Sequence, residues 1–500
     1  MAGDITTLFG ASTAHSPSIA MLDRARGADG GGGGAPGRIT DFCVPCNPYF
    51  PTPAMFERLG ERLREILTYY PSGADTITAE LCRTLGLNPQ TVAMGNGSTE
   101  LITWIDHLLV EESLAVPVPT FGRWTDQPME TGKRVDMMLL PEAHGFRLDP
   151  EAFVRFVRAR RSRTAVICNP NNPDGGLLAK DQVLALCDAL QDLDLVVVDE
   201  SFMEFSDAPA ATSVVEEAVL RPHVLVLRSL GKSLGLHGVR FGYLVANPAL
   251  AGRIRSVLPK WNLNSFAEAV VFMLGEHRQE YGESLRRSRR DRLEMAARLS
   301  ALPGLTVYPS QGNFLYIRLP VGVDGAALRD RLLTEHAVLV RECGNKVGSS
   351  SRFLRLVVRP PHDVVQLIGA LERVLYGGPA QPAPFAAPAE ALRAPGPGAP
   401  HGLELVPASA PVPAGRRLPE RTRLPTPAPT PVAAEARAAA QVQAAATQAQ
   451  QVTAHTRTRA QAAAPAPVRP RSAAPAGGPM AMARGYTSSG TAAVDRLVSG

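Results

Sequence analysis

The sequence predicts an α/β fold built around a parallel sheet, and three observations carry that reading. Short β-branched apolar runs recur at "TAVIC" (164–168), "LDLVVVDE" (193–200) and "HVLVLRSL" (223–230). Between the first two, "LAKDQVLALCDALQDL" (178–193) spaces its apolar residues at helical intervals, which is βαβ order. The runs are continuously apolar rather than alternating, as in a parallel sheet covered on both faces. Ligands of such sheets collect beyond the carboxyl ends of the strands, so the residues that follow each run bear on function.

At 500 residues the chain is long enough for two or three domains, but its ends are not core-forming. Residues 1–38 include "RGADGGGGGAPG" and read as a flexible glycine-rich leader. Residues 377–500 are rich in proline, alanine and arginine and read as a disordered tail. Within the tail, 433–451 has helix-forming composition without a large apolar face, and no function is assigned to it. The tail holds twelve arginines against five acids, a net +7 in a chain of net +5, which leaves the rest near −2. The basic character therefore belongs to the tail, and the folded part carries no nucleic-acid footprint. What the tail meets is not legible.

No apolar run reaches the ~18 residues of a membrane span, and the start lacks the basic-then-apolar order of a signal peptide. Six scattered cysteines in a large chain fit a reducing, cytoplasmic setting. "CVPC" (43–46) lacks the second ligand pair of a zinc site, so no metal is expected.

Three strand ends carry chemistry. "TAVIC" runs into "NPNNPDG" (169–175), "LVVV" into Asp199-Glu200, and "HVLVL" into Arg228-Ser229-Leu230-Gly231-Lys232. Each alone is easily a turn or capping device, whereas an amide cluster, a carboxylate and a lysine at successive strand ends are not. Lysine is scarce here: Lys133, Lys180, Lys232, Lys260 and Lys346 are the only five. Unlike arginine, a lysine can be driven by burial to the neutral amine that forms a Schiff base. Upstream, "TVAMGNGSTELITWIDHLL" passes through Gly95-Asn96-Gly97-Ser98-Thr99 into a helix, whose exposed amides suit a phosphate. Neither G-x-G-x-x-G after a strand nor G-x-x-x-x-G-K-[ST] occurs, which argues against dinucleotide and P-loop sites.

Pyridoxal phosphate asks for these four parts together: a lysine for its aldehyde, a carboxylate for its ring nitrogen, an anion cradle, and a donor for its ring hydroxyl. Lys232, Asp199, the 97–99 turn and Asn172 fill them in that order.

The segments "YYPSG", "GNGSTELI", "PVPTFGRW", "NPNNPDG", "VVVDESFMEF", "LRSLGKSLGLHGVRFGYL" and "RFLRLVVR" resemble, in order, the fold-type I pyridoxal-phosphate enzymes. The likeness is to the branch of histidinol-phosphate aminotransferase and threonine-phosphate decarboxylase, and it runs from about Asp41 to Leu375. It implies a catalytic region at 39–376. A large domain (about 65–255) would hold a mainly parallel seven-stranded sheet, and a smaller α+β domain would combine the N-terminal segment with about 285–376.

It further implies that Lys232 is the Schiff-base lysine and acid–base, that Asp199 pairs with the pyridine nitrogen, and that Asn172 bonds the ring hydroxyl. Phe121 would stack on the ring, while Gly97, Ser98, Thr99, Ser229 and Arg240 would bind the phosphate. Tyr70 would reach the phosphate of a neighbouring subunit, implying a homodimer with shared sites. Arg355 would hold the substrate's anionic group by a bidentate contact.

Several positions depart from the aminotransferases. Phe202 stands where they carry a tyrosine, which leaves Asn172 alone at the ring oxygen; phenylalanine here, with "LPKWNLNSFAEA" (258–269, holding Trp261 and Asn264) and 340–356, is similar to the decarboxylases. Gly231 replaces a Ser or Thr of the phosphate cup, and Asp174 replaces a Thr. The expectation is an aminotransferase acting on a small amino substrate, with phospho-amino-acid decarboxylation second. A non-catalytic binding protein on the same fold would be marked by loss of Lys232 or Asp199, and both are present. A transcriptional regulator would need a winged helix-turn-helix, for which the leader leaves no room.

Overall fold

A computed structural model describes residues 39–377, together with Ser18 and Met21. The expected leader and tail lie, apart from Ser18, Met21 and Gly377, outside the described residues.

In chain order the first strands are β1 (Thr40–Asp41), β2 (Val92–Gly95), β3 (Ser113–Val118), β4 (Arg134–Leu139), β5 (Thr164–Cys168), β6 (Leu195–Asp199), β7 (Val224–Arg228) and β8 (Gly242–Ala246). Seven of them form a sheet in the order β2-β8-β7-β6-β5-β3-β4. All its pairs are parallel except those of β8, which runs antiparallel to both β2 and β7.

The apolar runs are continuous because both faces are buried. Val166, Val197 and Leu225 pack with Leu101, Ile105 and Trp124 of the helices Ser98–Leu109 and Arg123–Glu130. Their sequence neighbours Ile167, Val196 and Val226 point the other way, onto Phe153 and Val183 of the helices Pro150–Arg160 and Lys180–Ala189. Each such valine or isoleucine, fully buried, contributes about 1.5–3 kcal/mol. The helix Pro150–Arg160 starts where Asp149 accepts from the Ala152 amide and Pro150 needs no partner for a missing N–H.

The remaining strands are β9 (Thr306–Val307), β10 (Phe314–Arg318), β11 (Val338–Leu339), β12 (Arg341–Glu342) and β13 (Phe353–Val357). Four of them form an antiparallel sheet, β12-β13-β10-β9. It packs on Met295 and Leu299 of the helix Arg278–Ser300 and on Leu367 and Leu371 of the helix Pro361–Tyr376. The N-terminal segment joins this part of the molecule: β1 pairs in parallel with β11, and the Val357 amide donates to Phe42 O at 2.9 Å. Among the described residues no helix is long and apolar enough to cross a membrane.

Candidate active site

Strands β5, β6 and β7 are neighbours, so their carboxyl ends bring three loops to one place. The loop after β5 is held by its own amides. The side chain of Asn169 bonds both backbone groups of Leu178, at 3.2 and 2.7 Å, and Asp174 Oδ1 accepts from the Gly176 amide at 2.8 Å. Gly175 turns there with φ +78°, and a Cβ on it would meet Ser310 Oγ at 2.0 Å. Burial raises the Asp174 carboxyl to about 6. This rigid loop presents Asn172.

Asp199 ends β6, 3 % exposed. Its Oδ2 accepts from Trp124 Nε1 at 2.8 Å and its Oδ1 from the Ser201 amide at 3.0 Å. After β7, a single helical turn, Leu230–Ser233, starts at Ser229 and carries Lys232. The Lys232 ammonium lies 5.0 Å from the centre of the Phe202 ring and 5.9 Å from that of Phe121. Burial, opposed by Asp199 and reinforced by Arg240, pushes it down to about 8. Phe121, Asn172, Asp199, Phe202 and Lys232 line one cavity, together with Cys168, Pro170 and Ser201.

At the start of the helix Ser98–Leu109, Gly97 adopts φ +85°, and a Cβ there would lie 2.6 Å from Arg240 Nη2. Arg240 Nη2 also reaches Thr99 Oγ1 at 3.5 Å. Gly242 packs so closely that a Cβ on it would lie 2.9 Å from the Ser98 amide and 2.8 Å from Arg228 O, the residue before Ser229. Gly97, Ser98, Thr99 and Arg240 thus meet at one helix start, with amides, hydroxyls and a guanidinium suited to phosphate, and Ser229 follows directly on Arg228, whose carbonyl borders it.

Arg355 stands on β13, 4 % exposed. Its Nη1 donates to Asn172 Oδ1 at 2.9 Å and its Nη2 to Cys43 O at 2.7 Å, while its buried Nε has no partner. With the Asn172 carbonyl engaged, the amide's N–H groups remain as donors. Tyr70 is not gathered with these groups. It is 82 % exposed, its ring 5.1 Å from that of Trp261, in a separate hollow with Arg62, Glu65 and Phe272.

An aldehyde-bearing, phosphorylated pyridine fits these residues. An amine whose proton is loosened by burial, a buried carboxylate, a ring face and an amide donor line one cavity, and the anion cradle is built at the neighbouring helix start. Among the described residues no group of three or more His, Cys, Asp or Glu is gathered to hold a metal. Cys43 faces Leu333 and Leu339, whereas Cys46 Sγ lies 2.8 Å from His237 Nδ1, so the two thiols of "CVPC" serve different neighbours.

Sequence reasoning missed two residues. Trp124 is the side-chain donor to Asp199, and its position three residues after Phe121 in "PTFGRW" was the available signal. Lys346, the other lysine that burial lowers to about 8, bonds Thr120 O beside Phe121, and only its scarcity marked it.

The sequence model of the family described as "Aminotransferase class I and II" matches residues 39–374. CMP-5'-(3-aminopropyl)phosphonate synthase of Streptomyces rubellomurinus is 33 % identical over 68 % of this chain and 54 % of its own length. The chain thus spans about half the length of the first curated relatives it matches. L-serine phosphate decarboxylase of Sulfurospirillum multivorans is 25 % identical over 67 % of this chain and 88 % of its own. Histidinol-phosphate aminotransferase 1 of Burkholderia lata is 30 % identical over 66 % and 91 %. Among solved structures, histidinol-phosphate aminotransferase of Sinorhizobium meliloti, in complex with pyridoxal-5'-phosphate, superposes with a TM-score of 0.63 at 21 % identity. That likeness covers 74 % of this chain and 97 % of that one, and it shows the fold, that of the fold-type I enzymes.

Proposed function

The chain belongs to the aminotransferase class I and II family, and from that premise we propose that it removes the carboxylate of an amino acid bearing a phosphate or phosphonate, using pyridoxal phosphate. When bound, the cofactor supplies an aldehyde that condenses with amines and a protonated pyridine ring that accepts the electron pair left at the substrate's α-carbon.

Each residue then has a role. Asp199, anchored by Trp124 and the Ser201 amide, holds the proton on the ring nitrogen. Lys232, lowered to about 8, would hold the cofactor's aldehyde and carry a proton to the substrate's α-carbon. Asn172 donates to the ring hydroxyl and Phe121 covers one ring face. Gly97, Ser98, Thr99, Ser229 and Arg240 hold the cofactor phosphate.

The observation that carries decarboxylation is Phe202, 5.0 Å from the Lys232 amine, which has no hydroxyl to offer the ring oxygen. Arg355 spends two of its five N–H donors on Asn172 and Cys43 and keeps its unpartnered Nε and the second N–H of each Nη, so it would still bond an anionic group of the substrate. The phosphorus oxyanion is supported by the three relatives, whose names each carry a phosphate or phosphonate. Transamination is the second reading, favoured by the aminotransferase among those relatives.

The exposure of Tyr70 supports a homodimer in which each Tyr70 completes the partner's phosphate cradle. Six free cysteines among the described residues support a reducing, cytoplasmic setting. The test is product analysis with phospho- and phosphono-amino acids: carbon dioxide and an amine are expected in equal amounts, whereas a keto acid formed in their place overturns decarboxylation.

A further inference from the structure

Lys346 has no part in the roles assigned above, yet it is only 8 % exposed. It sits in the loop between β12 and β13, the strand that carries Arg355. The loop is folded on itself: the Lys346 amide bonds Cys343 O at 3.1 Å and the Ser349 amide bonds Lys346 O at 3.0 Å. It is anchored to β10 through Tyr316 Oη and Ser349 Oγ, 2.6 Å apart.

From there the loop presses on the segment that precedes Phe121. Gly348, at φ +80°, lies so close that a Cβ would stand 3.1 Å from both Val118 O and Pro119 N. The Lys346 ammonium donates to Thr120 O at 2.6 Å. The other side of the same segment is gripped by Asn171, whose Nδ2 donates to Pro119 O at 2.9 Å and whose Oδ1 accepts from Thr120 Oγ1 at 2.8 Å. Phe121 therefore projects from a stretch held between the loop that carries Asn172 and the loop that leads into Arg355. The second grip depends on one charged donor.

We propose that Lys346 is a positioning residue: by clamping Thr120 O it fixes the angle at which Phe121 meets the cofactor ring, and ties that angle to the Arg355 loop. The proposal rests on the reading of Phe121 as the ring's cover. Burial lowers Lys346 to about 8; Cys343 and Cys168 oppose the shift, and Arg355 and Arg341 add to it. The buried Asp174 lies within its electrostatic reach, and Asp126 shares with it a cavity of about 270 Å³. The clamp should loosen as the amine loses its proton. Stability should move the opposite way, because a lysine held below its unfolded value sheds a folding penalty as pH rises from about 8 towards its unfolded ~10.4. A purely structural lysine would strengthen the protein over that range, whereas a positioning lysine weakens the site.

The test uses the full chain with Lys232→Ala, which removes the other amine that titrates near 8, and measures pyridoxal phosphate binding by quenching of tryptophan fluorescence. Adding Lys346→Met should raise the Kd about tenfold at pH 7, the equivalent of one charge-assisted hydrogen bond. With Lys346 present, binding should weaken by a similar factor between pH 7 and 9.5, and Lys346→Arg, which stays charged, should abolish that loss. Where Lys346→Met does not fold, Lys346→Arg alone decides. An unchanged Kd in Lys346→Met overturns the proposal, as does an unchanged pH dependence in Lys346→Arg. If the unmutated chain binds no cofactor, the reading beneath it falls, and the proposal with it.

Discussion

Arg355 Nη1 donates to Asn172 Oδ1 across 2.9 Å, joining β13 of the second sheet to the loop after β5 of the first. One amide thus does two jobs: its oxygen accepts from a buried guanidinium, and its nitrogen is left for the cavity. Substituting Asn172→Asp separates them. The oxygen acceptor survives and gains charge opposite Arg355, so stability should hold or rise. The N–H donor is lost, and kcat/KM should fall at least tenfold, as for a lost hydrogen bond of about 1.5 kcal/mol. Urea unfolding and steady-state kinetics on the same preparation check both halves. A fall in stability would show that the contact is not the one described.

Trp124 gives a second separation. Its indole N–H is a donor to Asp199, 2.8 Å from Oδ2, and the ring is fully buried. Trp124→Phe keeps most of the apolar volume and deletes the donor, leaving one oxygen of a buried carboxylate short of a partner. Hydrogen bonds to charged groups contribute about 1.5–3 kcal/mol, so stability should drop by that order. Because the carboxylate is also less firmly aimed, the bound cofactor's absorbance should titrate at a different pH from that of the unmutated protein. An identical spectral titration would mean that Trp124 is only packing.

Gly97→Ala tests the phosphate cradle. The backbone at φ +85°, ψ 158° is a region that side chains rarely adopt, costing about 1–3 kcal/mol. Independently of that strain, the new methyl would stand 2.6 Å from Arg240 Nη2 and push the guanidinium aside. Cofactor affinity should fall more than tenfold, and high inorganic phosphate, which competes for the same cradle, should inhibit the variant's cofactor binding less than the parent's. Equal inhibition in both would place the cofactor phosphate elsewhere.

Much of this arrangement was legible because chemistry-bearing side chains interrupt apolar runs. β5, β6 and β7 were readable since their valines and leucines are buried on both faces, and Asn172, Asp199 and Lys232 stood out by following them. What stayed hidden has physical reasons. Apolar content does not encode strand direction, so the antiparallel insertion of β8 between β2 and β7 left no trace in the pattern. The pairing of Thr40 with Val338 spans too much chain for any local signal. Trp124 reads as core, which it is, and its N–H matters only once Asp199 is placed beside it. Lys346 stands out in the sequence only as one of five lysines, and nothing local ties it to Thr120 until the loop around Gly348 folds.

Lys232 carries a prediction about stability whose sign is fixed by its environment. In the unfolded chain a lysine titrates near 10.4, and in the folded one burial lowers Lys232 to about 8. Below about pH 8 both states hold the proton, and the folded state bears the whole cost of an enclosed charge, on the order of 3 kcal/mol. Between about 8 and 10.4 the unfolded chain binds more protons than the folded one, so that cost fades as pH rises. Lys232→Met, which fills similar space without charge, should therefore make the cofactor-free protein more stable at pH 7 by that order. The advantage should shrink steadily from pH 8 upward. The informative quantity is the difference between variant and parent at each pH, because the buried thiols and phenols titrate alike in both and cancel. A variant no more stable than its parent at pH 7 would mean that the amine is solvated. It would then lack the enclosed setting that makes it a usable nucleophile at neutral pH.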